Sequence, residues 1–281
     1  MIRTDLALEM HSRLVKNGSE LRGICVSKEN MEYGVEVTTV TIETENAAKS
    51  MGKPKGHYVT IEFGKFIETK YQEQIIDILA EQIKRLLPPT YEKDSFSISM
   101  NTDGEGELSV LVVGLGNKRM EADSLGPRTI DKIMMSRHIR KEFGKYVFSS
   151  EDVSSVSGIA TGVLTDTGME AKEIISGIVK ETMPDLVITI DALAGKSTKR
   201  LGKTIQLTDT GIVPGSGVGM HRKAISKSTM GIPVIALGVP TLVDTGDGFY
   251  LIPKNLSETL EIISSILAKA INRVFSGKGI R

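Results

Sequence analysis

The chain has 281 residues, of which 40% are hydrophobic and 25% charged, values that are ordinary for a globular protein. Its 35 basic and 35 acidic side chains cancel, which excludes the broad positive field that direct nucleic-acid binding needs. The single cysteine, Cys25, excludes an internal disulfide and any CxxC metal or redox motif, as suits a reducing cytoplasm.

The N-terminus is polar, and no segment approaches the roughly 18 apolar residues of a membrane helix, so we expect a cytoplasmic protein without a membrane partner. The first predicted structure is a β-rich N-terminal portion over residues 23–64, which contains several runs of β-branched side chains. These strands either form their own small sheet or extend a larger one. Within them, Cys25 lies in an apolar run, which favours a packed thiol over a nucleophile.

An amphipathic helix is predicted from Lys65 to Leu87, ended by Pro88-Pro89. Strand and helix patterns then alternate over residues 108–281, with helices predicted near 127–138, 171–181 and 256–275. Such alternation predicts an α/β fold with a mostly parallel, helix-covered sheet. We treat residues 1–281 as a single domain.

Two apolar strands of this α/β portion each lead to an aspartate. Asp123 follows the strand that begins at Leu108, and Asp191 directly follows the apolar run that begins at Leu186. If both strands lie in one parallel sheet, their carboxyl ends face the same crevice, and two carboxylates there can share a proton for acid–base chemistry. Each residue has an ordinary alternative: Asp123 as a helix cap, and Asp191 as part of a strand-end turn.

Two glycine-rich segments also follow strands. Gly114-Leu115-Gly116-Asn117 lacks the third glycine and the immediate helix of a dinucleotide fingerprint, so we expect no cofactor. The loop from Asp209 to Gly219 is suited to close approach by a peptide backbone, with a flexible connector as the alternative. Asp-Thr-Gly triplets begin at Asp166, Asp209 and Asp244, but pepsin-like enzymes are all-β, so these triplets are interpreted as turns.

Other catalytic chemistries have little support. The four histidines, His11, His57, His138 and His221, form no close metal-ligand pair, so we expect no metal. Ser216 lies in Pro-Gly-Ser-Gly rather than in the G-x-S-x-G motif of a serine nucleophile.

Taken together, several segments resemble the germination protease family, whose members degrade small acid-soluble spore proteins in germinating spores. The matching segments run in family order: Ile2-Arg3-Thr4-Asp5-Leu6-Ala7, VVGLGN with the following Asp123-Ser-Leu-Gly-Pro, VSGIATGV, IDALAGKS, QLTDTGIVPGSGVG and GIPVIALGVPTLVD. The resemblance implies an aspartate-dependent endopeptidase with a fold related to hydrogenase maturation proteases. It further implies a homotetramer of the spore core, made as a self-processing zymogen.

By motif, the family's two catalytic aspartates fall on Asp123 and Asp191. The resemblance also implies removal of a short pro-segment, residues 1–5, for which Asp5-Leu6 is the candidate processing bond. Residues of the two glycine-rich loops would then line the substrate cleft and offer backbone amides to an oxyanion. The residues assigned to that cleft are Gly114, Gly116, Asn117, Asp209, Gly215, Ser216 and Gly217.

Two alternatives stay open. In one, the same acids, with His138 or His221, bind a divalent ion in a metal-assisted maturation endopeptidase. In the other, the chain is a peptide-binding module that has kept the fold and lost turnover. Sensitivity to chelators separates the first alternative from the metal-free dyad, and failure to cleave any client would favour the second.

Overall fold

Strands and helices alternate along most of the chain. The computed structural model describes residues 5–16, 22–64, 69–89, 108–144, 148, 153–216 and 222–276. The predicted features that lie outside these residues are residues 1–4, the start of the helix predicted from Lys65, the end of the Asp209–Gly219 loop including Gly217, and His221.

The strands are β1 (Ile24–Asn30), β2 (Val35–Ile42), β3 (Gly56–Phe63), β4 (Ser109–Leu115), β5 (Ser155–Gly162), β6 (Leu186–Gly195), β7 (Thr204–Thr208), β8 (Val234–Asp244) and β9 (Tyr250–Leu251). The helices are α1 (Ala7–Lys16), α2 (Glu45–Met51), α3 (Thr69–Leu86), α4 (Leu125–Ile130), α5 (Arg137–Phe143), α6 (Leu164–Thr167), α7 (Ala171–Thr182), α8 (Lys227–Met230) and α9 (Leu256–Phe275). None of these described helices combines the length and the hydropathy that a membrane span needs.

The nine described strands belong to one sheet, ordered β1-β2-β3-β7-β8-β6-β4-β5, with β9 paired to β8. Within it, β5, β4, β6 and β8 form a parallel group. Antiparallel pairing joins β1, β2, β3 and β7 to one another and β7 to β8. The predicted α/β class is confirmed, the sheet as a whole is mixed, and the N-terminal strands extend the main sheet.

One face of this sheet is covered by α3 and α9, which pack against each other. Their buried side chains share a core with Ile188 and Ile190 of β6 and with Leu207 of β7. Val187 of β6 packs into a different core on the opposite face. Burial on both faces explains why β6 has the continuous apolar sequence typical of a central parallel strand.

The opposite face is covered by two separate apolar clusters. Ile175 of α7 and Met230 of α8 pack with Val113 on the β4 side. Ala7 of α1 and Met51 of α2 belong to a second cluster on the β1–β3 side. The part of this face between the two clusters carries the polar side chains of the candidate site.

The predicted helix near 127–138 is instead two short helices, α4 and α5. The helix is interrupted between α4 and α5, and just before α5 the backbone N–H of Ser136 donates to the carbonyl of Val156 at 3.0 Å. The Ser136 hydroxyl donates to the carbonyl of Ser154 at 2.6 Å and accepts from the Val156 N–H. Hydrogen bonds to the start of β5 therefore replace helix continuation. By contrast, α9 has the predicted bounds, and α3 and α7 lie within one residue of their predicted ends at Leu87 and Glu181.

The prediction that Cys25 is a packed thiol is wrong, because its side chain is exposed. β1 is the edge strand of the sheet, and the residues after Ile24 are exposed on both of its faces. An apolar run in an edge strand therefore does not imply burial here.

Candidate active site

Asp191 lies inside β6, where the strand passes the end of its neighbour β4. The pairing of β4 with β6 ends at Gly114 and Ile190, whereas β6 continues beside β8 as far as Gly195. Asp191 pairs in register with Gly238 of β8 and is only 5% exposed. The strand-end-turn alternative for Asp191 is therefore wrong: the carboxylate projects from a continuing strand.

Asp123 reaches the end of β4 through a sharp reversal of the chain. Gly116 has a φ of +106°, and a Cβ there would lie 2.1 Å from the carbonyl oxygen of Asp123. The backbone N–H of Asn117 donates to Asp123 Oδ2 at 2.9 Å. The carboxylate therefore binds the loop that follows β4. The helix-cap alternative for Asp123 is not supported, because α4 begins after Ser124 without a side-chain cap.

Close backbone packing holds this turn against the sheet. A Cβ at Gly126 would lie 2.3 Å from the carbonyl oxygen of Leu115, and one at Gly114 would lie 2.5 Å from the backbone of Gly126. The hydroxyl of Thr241 on β8 donates to the carbonyl of Ala122 at 2.6 Å. The absence of a side chain at Gly114 thus lets α4 pack closely against β4.

The two carboxyl groups influence each other's protonation. Burial raises the pKa of Asp123, while the Asn117 N–H and the positive charge of Arg222 act in the opposite direction. Burial raises the pKa of Asp191 well above its usual range, and the charges of Asp123 and Asp5 raise it further. The Ala192 N–H and Arg222 oppose this rise only in part. The pair therefore favours holding one proton, with Asp191 as its main carrier.

The N-terminal segment of the same chain lies beside this pair. The Asp5 N–H donates to the carbonyl of Ala194 at 3.0 Å, and the Asp5 carboxylate accepts from the Ala194 N–H at 3.0 Å. The Ser216 hydroxyl donates to the same carboxylate at 2.7 Å. Leu6 and Ala7 are fully buried. Asp5, Leu6 and Ser216, three residues singled out in the sequence, are thus brought together at β6.

An ionic cluster anchors α1 next to this segment. Glu9 of α1 accepts from the Lys196 N–H at 2.8 Å and pairs with Arg200 at 3.2 Å. Arg200 also pairs with Glu62 of β3 at 2.8 Å. Because Glu9 is almost fully buried, the cluster fixes the chain just after Asp5-Leu6 onto the sheet.

The carboxylate of Asp209 lies against β3. The Asp209 carboxylate accepts from the His57 N–H at 2.8 Å and contacts the His57 ring Nδ1 at 2.7 Å, so its described contacts are with β3. Asp244 forms the predicted turn, with the Gly246 N–H bonded to its carboxylate at 2.8 Å. Gly215, next to Ser216, has a φ of +71°.

Sequence patterns missed two residues near the aspartates. Gln206 is a buried polar residue of β7, and its amide contacts the backbone at Asp5 and Ala7. β7 has the sequence Thr-Ile-Gln-Leu-Thr, in which polar and apolar residues alternate, so the pattern predicts a polar face without distinguishing Gln206 from its threonine neighbours. Arg222 carried no comparable signal beyond its place after the glycine-rich loop. Among the residues that the structure describes, no group of three or more His, Cys, Asp or Glu side chains could hold a metal ion.

Replacing Gly116 tests whether close packing positions Asp123. In Gly116→Ala, a backbone with positive φ and a Cβ at 2.1 Å from the Asp123 carbonyl must both be accommodated. Gly168→Ala is the matched control, because Gly168 has a φ of +70° and nothing within 4 Å of an added Cβ. We expect Gly116→Ala to lower the free energy of unfolding by about 1–3 kcal/mol more than the control, measured by urea denaturation. Equal losses would contradict this role.

Asp191→Asn is expected to stabilise the fold at neutral pH. The pKa of Asp191 is higher in the folded than in the unfolded chain, so the wild type loses stability as pH rises between these two values. Asparagine cannot ionise and can still accept from the Ala192 N–H. Near pH 7.5, the midpoint of thermal unfolding should therefore rise by about 2–4 °C for each kcal/mol added to the free energy of unfolding. This stabilisation should vanish below about pH 3.9, where the aspartate is protonated in the unfolded chain as well. A destabilised variant at neutral pH would contradict the raised pKa of Asp191 in the folded chain.

Comparison with known proteins identifies the family of this chain. A family model described as germination protease matches residues 3–248. The germination protease of Bacillus mycoides (strain KBAB4) is 41% identical over 268 residues, which cover 92% of this chain and 69% of the relative. That of Caldanaerobacter subterraneus subsp. tengcongensis is 43% identical over 263 residues, covering 92% and 75%.

Among solved structures, the NiFe hydrogenase maturation protease HycI from Thermococcus kodakarensis KOD1 aligns with a TM-score of 0.36 and 17% identity, over 60% of this chain and 96% of that chain. The family model, in contrast, spans most of the sequence and includes both aspartates. The chain therefore belongs to the germination protease family and is a protease.

Proposed function

We propose that this protease is an endopeptidase that begins the degradation of small acid-soluble spore proteins during germination, with Asp123 and Asp191 as its acid–base pair. The observation that carries the proposal is the pair of charge-coupled carboxyl groups beside a bound peptide segment. The family name supports a role in germination. The class of client and a location in the spore core come from the resemblance of the motifs.

The two aspartates differ in environment, which supports different roles. Asp123 accepts the Asn117 N–H, a hydrogen bond that favours its ionised form, so it acts as the base. Asp191 is the more strongly perturbed carboxyl and acts as the acid. Asp123 takes a proton from water as the water oxygen bonds to the carbonyl carbon. Asp191 then gives its proton to the amide nitrogen as the C–N bond breaks.

The same site would process its own chain. In this proposal the protein is a zymogen, residues 1–5 are its pro-segment, and Asp5-Leu6 is the bond cleaved. The hydrogen bonds of Asp5 with Ala194 and Ser216 support this choice, because they hold Asp5 against β6 close to Asp191. An occupied cleft would also keep clients out until the segment is released. A homotetramer is proposed from the family resemblance.

Mutation of each aspartate tests the central chemistry. Purified wild-type, Asp123→Asn and Asp191→Asn proteins would be incubated with a small acid-soluble spore protein, with and without a strong chelator. Both variants should cleave at least about 10²–10⁴-fold more slowly than wild type, since each loses one half of the acid–base pair. Asp77→Asn, which alters an exposed aspartate of α3, is the control and should keep its activity.

The chelator separates the remaining interpretations. Wild-type cleavage that survives chelation supports the metal-free pair, whereas loss on chelation and recovery with a divalent ion would indicate a metal-assisted endopeptidase. Absence of cleavage by wild type after removal of residues 1–5 would leave a peptide-binding module. N-terminal sequencing of matured protein checks the processing bond, and an N-terminus other than Leu6 would reject Asp5-Leu6.

A further inference from the structure

We propose that Gln206 is a catalytic residue whose side-chain amide donates a hydrogen bond to the carbonyl oxygen of the bond being cleaved. This inference rests on the proposed peptidase function and adds to it a group that stabilises the oxyanion. It comes from the contacts of Gln206 with the segment around Asp5-Leu6.

Gln206 holds the backbone on both sides of that bond. Its Oε1 accepts from the Ala7 N–H at 2.7 Å, and its Nε2 donates to the carbonyl oxygen of Asp5 at 3.2 Å. A backbone N–H can only donate, so the atom facing Ala7 must be the carbonyl oxygen of the side chain. The NH₂ group therefore faces the Asp5 carbonyl, which belongs to the Asp5-Leu6 peptide bond.

The sheet places Gln206 on the same face as Asp191. Gln206 pairs in register with Gly238, and Gly238 pairs with Asp191 on its other side. Residues paired across adjacent strands project from the same face of a sheet, and two strand spacings separate these backbones by about 9.5 Å. A carboxyl and a carboxamide that reach toward each other over this span can contact opposite sides of one peptide group.

Nearby backbone amides are already engaged by carboxylates. The Asn117 N–H donates to Asp123, and the N–H groups of Ala192 and Ala194 donate to Asp191 and Asp5. Within the Gly114–Asn117 loop, the backbone N–H of Asn117 is therefore bonded to Asp123 and does not serve as the expected oxyanion donor. Gln206 instead provides the contact on the Asp5 carbonyl oxygen, and it is only 7% exposed, so this donor works with little competition from water.

Gln206 stabilises the negative charge that develops on the carbonyl oxygen of Asp5 during the reaction. When water adds to the carbonyl carbon of Asp5, the C=O double bond becomes a single bond and its electron pair moves to the oxygen facing Nε2. That oxygen regains its double bond when the C–N bond to Leu6 breaks and the nitrogen takes a proton. The hydrogen bond from Nε2 is strongest while the oxygen is negative, so it lowers the barrier more than it strengthens binding.

The test compares Gln206→Met and Gln206→Glu with wild type in cleavage of a small acid-soluble spore protein, using protein matured to begin at Leu6. Gln206→Met keeps the approximate volume and removes the donor. We expect kcat to fall about 10²–10³-fold with a much smaller change in KM. Gln82→Met, at a buried glutamine of α3, is the matched control and should keep its kcat.

The pH dependence of Gln206→Glu distinguishes a hydrogen-bond donor in catalysis from a purely structural role. Its carboxylate cannot donate at neutral pH, but the protonated carboxyl can, so the ratio of variant to wild-type kcat should rise as pH falls toward the pKa of that carboxyl. This variant also keeps the test decisive if Gln206→Met fails to fold. An unchanged kcat, or a pH-independent ratio, would overturn the role of Gln206.

Failure of this inference and failure of the proposed function give different results. If matured wild type cleaves the client and Asp191→Asn does not, but Gln206→Met keeps its kcat, only the role of Gln206 is wrong. If matured wild type cleaves neither the spore protein nor a peptide with the sequence of residues 1–12, the proposed function itself fails.

Discussion

Asp123 and Asp191 place two carboxyl groups in one poorly solvated cleft, and the packing of β4, β6 and α4 around them must accommodate their charge. Burying two negative charges together is costly, so such a pair must take up a proton or gain hydrogen bonds. Asp191 is almost fully buried and carries the stronger pKa shift, while Asp123 keeps the Asn117 N–H. Glycine at positions 116 and 126 allows the turn that carries Asp123 to pack closely against the end of β4, since a Cβ at Gly116 or Gly126 would overlap backbone atoms.

The sheet face opposite α3 and α9 leaves room for a peptide segment beside Asp191. One apolar cluster lies under α7 and α8 and another under α1 and α2. Between them, β6 extends past the end of β4, and its backbone at Ala194 binds Asp5. The N-terminal segment thus occupies the position in which we propose that a client peptide binds. Regulation and catalysis would in this way depend on the same backbone hydrogen bonds.

Local periodicity predicted much of the fold. α9 was predictable because its apolar residues repeat at helical spacing. Parallel strands indicated that Asp123 and Asp191 lie on one side of the sheet, but the continuation of β6 past Asp191 was not predicted. The break between α4 and α5 depends on hydrogen bonds from Ser136 to residues 18 and more positions away. Gln206 contacts Asp5 across 201 positions, a relation that no local pattern carries. Exposure of Cys25 likewise depends on the position of β1 at the sheet edge.

The central claim is that Asp123 and Asp191 titrate as one coupled pair. The most direct test is carboxyl ¹³C NMR of aspartate-labelled protein, comparing wild type with Asp123→Asn across the acid and neutral range. We expect Asp191 in wild type to titrate well above the usual aspartate value of about 3.9 and its pKa to fall when Asp123 becomes neutral. An Asp191 that titrates at the usual value, or whose titration does not respond to Asp123→Asn, would contradict the coupled pair.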